Sequence, residues 1–146
     1  MKIGIIGAGA SGMAAAIAAS ENPNVQVVLF ERQARVGKTL LATGNGRCNL
    51  SNRNASIEKY HGDHSDFAHI ALDQFPVEDT LQWFGKLGLF TVTEENGKVY
   101  PYSDQANSVV DVLRFALEKP KVEVKLGVEG EKIKKTSEGF RVEARE

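Results

Sequence analysis

A chain of 146 residues holds one domain with a real apolar core and is too short for two ordinary ones. Charged residues make up 25% of it and the net charge is −1, so no basic field is offered to nucleic acid or to an anionic membrane surface. No apolar stretch approaches a membrane span, the first strand begins without a basic leader, and the single cysteine, Cys48, excludes an internal disulfide and a C-x-x-C redox pair; a cytoplasmic protein is expected.

Residues 1–31 read as one βαβ unit. The apolar run Ile3-Gly4-Ile5-Ile6 leads into Gly7-Ala8-Gly9-Ala10-Ser11-Gly12, a small-residue helix follows from about Ser11 to Ser20, and a second apolar run, Val25 to Phe30, ends in Glu31. A bare G-x-G-x-x-G is weak, but one placed between a strand and a helix points to dinucleotide binding. Gly7 permits the tight turn, Gly9 lets the backbone approach a pyrophosphate, and Gly12 lets the helix lie close on the strand. The helix N-terminus, with Ala10 and the Ser11 hydroxyl at its mouth, supplies N–H groups and a positive dipole end for phosphate. Glu31 closes the second strand about 20 residues beyond the last glycine, where a carboxylate accepts from the ribose hydroxyls of an adenosine. The alanine-rich helix is expected to be covered on most sides. The second strand, almost continuously apolar, is expected to be a buried parallel strand.

Residues 32–55 show little periodicity, and a polar loop of that length is usually functional or disordered. Gly37, Gly44 and Gly46 allow close backbone approach to a ligand, Lys38 and Arg47 offer cations for phosphate or a reduced flavin, and Arg32 beside Glu31 is a further cofactor-binding candidate. Phe67, Ala71 and Phe75 then recur at helical spacing, and Val77, Leu81, Phe84 and Leu87 mark one face of a further helix opened by Pro76, Glu78 and Asp79 and closed by Gly88. His61, His64 and His69 lack metal-ligand spacing and are read as surface residues, so no metal is expected. Leu89–Thr93 and Val99–Tyr102 flank Asn96-Gly97 as a hairpin. Asp104 or Ser103 is placed to cap a helix whose stripe is Val109, Val110, Leu113, Ala116 and Leu117. Val122, Val124 and Leu126 suggest a third parallel strand, and Lys132–Thr136 with Phe140–Ala144 an antiparallel pair. The fold class is therefore α/β: a Rossmann-like dinucleotide-binding domain, a parallel sheet with helices plus a partial antiparallel β-meander. Neither a nucleophile nor an acid–base pair stands out, and Cys48 beside Arg47 has no resolving partner.

Taken together, Gly7 to Gly12, Glu31-Arg32 and Thr43-Gly44-Asn45-Gly46-Arg47-Cys48-Asn49-Leu50-Ser51-Asn52 resemble the YhiN/BaiN-like flavoproteins, a bacterial group of NAD(P)/FAD-dependent oxidoreductases. The resemblance continues through Phe84, Leu87-Gly88-Leu89, Gly97 to Pro101, Ser103, Ala106 and Val109-Val110. The chain differs from many members at Val36-Gly37 and at Lys98.

The resemblance implies FAD as cofactor, with NAD(P)H as electron donor in the full-length family, and a flavin that carries the redox chemistry. It implies that Glu31 holds the adenosine ribose, and that Gly44, Asn45, Gly46, Arg47, Cys48 and Asn49 lie along the cofactor. It also implies that a residue just after the third strand, taken to be Gly130, contacts adenine through its backbone. Members are much longer, so residues 1–146 are expected to be the N-terminal portion of an FAD/NAD(P)-binding domain. A chain ending at Glu146 is expected to hold FAD weakly, to show no turnover, and to self-associate through open strand edges. An NAD-dependent dehydrogenase domain, and a non-catalytic nucleotide-binding fragment or subunit that needs a partner chain, are the alternatives.

Overall fold

The computed structural model describes residues 1–145. Its elements run β1 (Lys2–Ile6), α1 (Ala10–Ser20), β2 (Gln26–Glu31), a 3-10 segment Leu40–Gly46, β3 (Ser51–Asn52), a 3-10 turn Ile57–Lys59, α2 (Phe67–Gln74), α3 (Val77–Lys86), β4 (Thr91–Thr93), β5 (Lys98–Pro101), α4 (Ala106–Ala116), β6 (Val122–Leu126), β7 (Glu129–Thr136) and β8 (Gly139–Arg145). They form two compact units, Met1–Leu40 with the segment from Leu113 onward, and Leu41–Val112.

The first unit is the Rossmann-like α/β part. Its parallel sheet has the order β1-β2-β6, with Ile3 opposite Val27 and Val28 opposite Glu123. As the central strand, β2 carries the most apolar segment, and Val27, Val28 and Leu29 are all buried. At an edge of the sheet, β1 alternates half-buried Ile3 and Ile5 with exposed Lys2, Gly4 and Ile6.

Met13, Ala16 and Ile17 of α1 are buried, whereas Ala10, Ser11, Ala15 and Ala18 are exposed. This corrects the expectation of a helix covered on most sides. Alanine favours helix wherever it sits, so an alanine run reports helix formation and says little about how many faces are packed. The ribbon β7–β8 is antiparallel as expected, with β7 starting earlier, at Glu129, and a register irregularity between Gly130 and Lys132.

The second unit carries an antiparallel sheet of order β3-β5-β4. Its hairpin turns at Gly97, whose φ of +84° suits glycine, and Asn96 Oδ1 accepts from the Lys98 N–H at 2.9 Å. Preceded by Pro76, α3 has Glu78 and Asp79 in its first turn and Lys86 in its last, and Gly88 follows its end with φ +92°. Leu81 is buried at its centre. Of the expected α4 stripe, Val109 and Val110 are buried in this unit, while Leu113 and Leu117, buried too, and half-buried Ala116 belong to the first.

The helix expected from the Phe67, Ala71, Phe75 spacing formed as α2, although no residue of it is buried and Phe67 is 80% exposed. Asp104 does not cap α4, since the helix starts at Ala106 and Gln105 precedes it; the Asp104 carboxylate pairs with Arg47, and the Ser103 hydroxyl is bonded to that of Ser108 at 2.7 Å. Residues 32–55 are not structureless: Val36, Leu40 and Cys48 are buried, and Ser51–Asn52 pairs with Val99 and Lys98 of β5. Among the described residues no helix is long and apolar enough to cross a membrane.

Candidate functional site

A cleft of about 340 Å³ opens in the first unit where β1 and β2 end and α1 begins. Gly7 turns the chain there with φ +94°, and its N–H donates to the Phe30 carbonyl at 2.7 Å, which fixes the turn against β2. A Cβ added to Gly12 would overlap the Gly7 carbonyl oxygen, so this glycine serves the close seating of the helix on the turn. A Cβ on Gly9 would meet only Thr39 Oγ1, at 3.9 Å. The fold itself therefore does not require glycine at position 9; the open space beside it is cleft.

Glu31 faces this turn. Its Oε2 accepts from the Ala8 N–H and its Oε1 from the Gln33 N–H, both at 2.8 Å. An ionised carboxylate has about four acceptor sites, so two backbone donors fix its orientation and leave capacity for hydroxyl donors of a ligand. Beyond β2 the chain folds back on the glycine turn: Gly37, at φ +67°, donates its N–H to the Ala8 carbonyl at 2.8 Å, and Val36 is buried. Lys38 also lines the cleft and donates to Gln33 Oε1 at 2.9 Å. Arg32 lies 3.6 Å from Glu129, which is held in turn by Arg145 at 3.0 Å. The α1 N-terminus has no side-chain cap at Gly9, and Ala10 and Ser11, both exposed, form its first turn. Unbonded N–H groups at a helix start, a backbone turn without side chains and an oriented acid make a surface suited to a phosphorylated ribose.

On the far wall stand both Gly130 and a residue that the sequence did not single out. The residue that follows β6 and enters the cleft is Val128, which is buried and whose N–H donates to the Glu31 carbonyl at 2.9 Å. Gly130 also lines the cleft but lies two residues further, inside β7, where a Cβ would come within 3.2 Å of the Ile6 side chain. Gln33 and Thr39 are further cleft residues that the sequence reading passed over.

The expected loop Gly44–Asn49 belongs to the second unit. Gly44, Asn45 and Gly46 are left-handed in succession, at φ +54°, +56° and +84°, and buried Cys48 is left-handed too, at +60°. A Cβ on Gly44 would lie 2.7 Å from the Asn49 nitrogen, so the loop closes tightly on itself. Non-glycine residues persist in this region only where their surroundings hold them there. Arg47 supplies that hold. Its guanidinium bonds Glu94 at 2.7 Å and Asp104 at 2.5 Å and lies 3.9 Å above the Tyr100 ring. The hydrogen bond it donates to Glu94, then the one it donates to Asp104, pushes the arginine still further toward its charged form. Arg47, expected to offer a cation to phosphate or a reduced flavin, is paired here with two carboxylates of its own unit. The Asn49 amide faces the carbonyl oxygens of Ser51 and Val99. Of the expected histidines, His69 pairs with Asp73 one helical turn away at 2.7 Å.

A family described as the HI0933-like protein Rossmann domain matches residues 1–146, the whole chain. The chain belongs to the HI0933-like family. Among curated members and relatives it is similar to the 3-dehydro-bile acid delta(4,6)-reductase of Clostridium scindens, with 46% identity over 144 residues, 98% of this chain and 35% of that protein. It is also similar to the ribosomal RNA dihydrouridine synthase of Escherichia coli, with 30% identity over 136 residues, 93% of this chain and 34% of that protein. The chain thus spans about a third of the length of these relatives. Among solved structures, the open conformation of a flavocytochrome c3 fumarate reductase matches with a TM-score of 0.69 at 16% identity, over 97% of this chain and 31% of that one. The quinol fumarate reductase FrdA of E. coli matches with 0.66 at 18%, over 99% and 29%. These two likenesses concern the HI0933-like fold alone.

Proposed function

We propose that this chain is the FAD-binding portion of a flavin-dependent oxidoreductase and that it holds the ADP half of FAD at the first βαβ unit. The observation that carries this reading is Glu31, oriented by the Ala8 and Gln33 N–H groups beside a glycine turn open at Gly9. In this arrangement the Glu31 carboxylate accepts from the ribose hydroxyls, the Gly7–Gly9 backbone and the start of α1 face the diphosphate, and the wall at Val128 meets the adenine. The open space beside Gly9 and the two remaining acceptor sites of Glu31 support this reading. Bound FAD supplies two-electron redox chemistry; the chain supplies placement and electrostatics. The resemblance of Gly7–Gly12, Glu31-Arg32 and Thr43–Asn52 to FAD-dependent flavoproteins supports a flavin over a nicotinamide, although the cleft geometry alone suits the ADP half of either.

The deciding experiment is the visible absorption spectrum of the purified protein and of the supernatant after heat denaturation, followed by equilibrium titration with FAD and NAD. Flavin in the supernatant, or FAD binding tighter than NAD binding, is the expected result. Preference for NAD, or no binding of either, overturns the assignment.

A further inference from the structure

Gln33 joins three parts of the cleft through three different groups. Its N–H donates to Glu31 Oε1 at 2.8 Å, its side-chain oxygen accepts from Lys38 Nζ at 2.9 Å, and its carbonyl accepts from the Gly127 N–H at 3.2 Å. The two cleft cations are held differently. Arg32 is drawn to the Glu129 carboxylate, whereas Lys38, among the described residues, is held by a neutral amide and pairs with no carboxylate. A lysine bonded to an amide keeps its full charge and two free donors while losing much of its freedom. A lysine bonded to a carboxylate would be restrained equally but neutralised.

We infer that Gln33 is a positioning residue that holds Lys38, undischarged, against the diphosphate of a bound nucleoside diphosphate while its backbone sets the ribose acid. The inference rests on the cleft being the seat of the ADP half. Binding that immobilises a long side chain costs about 0.5–1.5 kcal/mol, roughly a two- to tenfold loss of affinity, and Gln33 removes part of that cost beforehand. The benefit reaches only ligands that carry phosphate. The side-chain amide, unlike the backbone N–H, has no bond to the ribose acid.

The test is titration calorimetry of ADP and of adenosine into the full chain, as wild type, Gln33→Ala, Gln33→Glu, Lys38→Met and the double variant Gln33→Ala with Lys38→Met. Gln33→Ala, which keeps the backbone bond to Glu31, is expected to weaken ADP two- to tenfold and to leave adenosine unchanged. Gln33→Glu is expected to weaken ADP further. In the Lys38→Met background the Gln33→Ala effect on ADP is expected to vanish. If adenosine and ADP weaken alike, or the effect persists without Lys38, Gln33 is merely structural and the inference is overturned while the cleft reading stands. If the wild type binds neither probe, the cleft reading itself is overturned, and this inference with it.

Discussion

Gly9 is the position where a ligand role and a folding role separate. Its backbone is extended, at φ −76° and ψ −170°, a conformation open to any L residue. The nearest atom to an added Cβ is Thr39 Oγ1 at 3.9 Å, which is ordinary van der Waals contact. Replacing Gly9 by valine therefore meets no steric barrier in the protein itself. It loses only the modest preference for glycine over an aliphatic residue at a helix N-cap, about 0.5–1 kcal/mol. The same isopropyl group stands where the turn faces the cleft, in the space assigned to the diphosphate, so FAD or ADP affinity should fall at least about a hundredfold, or about 2.7 kcal/mol. Gly12→Ala is the matched control with the opposite signature. Its methyl group would overlap the Gly7 carbonyl, and overpacking of this kind costs about 1–3 kcal/mol in stability. Thermal unfolding and ADP titration on both variants decide the matter. A Gly9→Val protein that binds ADP as the wild type does, or that fails to fold, would refute the reasoning.

Glu31→Ala should weaken ADP by roughly 1.5–3 kcal/mol for each ribose hydrogen bond lost, measured by the same titration; unchanged affinity would place the ribose elsewhere. NADP should bind at least tenfold more weakly than NAD at this cleft, because its 2′-phosphate would face Glu31, and like charges about 4 Å apart repel by about 1 kcal/mol in water and about 4 kcal/mol at an effective dielectric near 20. Equal affinities would contradict the placement of that carboxylate. Arg47→Lys should loosen the loop although the charge is kept, since an ammonium cannot span Glu94 and Asp104 and also lie flat on Tyr100. Faster proteolysis or amide exchange at residues 43–49, with little change elsewhere, is the expected readout. The exposed side chains of β1 at the sheet edge and the solvent-facing β7–β8 ribbon should promote concentration-dependent association, seen by sedimentation; a monomer at all concentrations would show these edges to be protected.

The parts of this protein legible in its sequence are those fixed by neighbours in the chain. The glycine turn, β2 with its terminal acid, the Asn96-Gly97 hairpin and the α4 stripe each follow from a local period or a local turn requirement, and each formed where expected. What escaped was set by distant residues. Glu94 and Asp104 lie 47 and 57 positions beyond Arg47, so nothing around Arg47 marks it as a brace rather than a free cation. The Phe67, Ala71, Phe75 spacing specified a helix, but whether that side is covered depends on what packs there, and nothing in the spacing encodes it. The place of Val128 in the cleft has a similar origin: its N–H bonds the Glu31 carbonyl, a residue about a hundred positions away, and that pairing is not marked in the residues around Val128. Gln33 is the instructive middle case. Its bonds to Glu31 and Lys38 span two and five residues, so they are local, yet no periodic pattern announces them because the segment is a loop. Local encoding is therefore necessary for reading a site from sequence but not sufficient: the residue must also belong to a repeating or turn-forming pattern, and a ligand-facing loop is the place where that second condition fails.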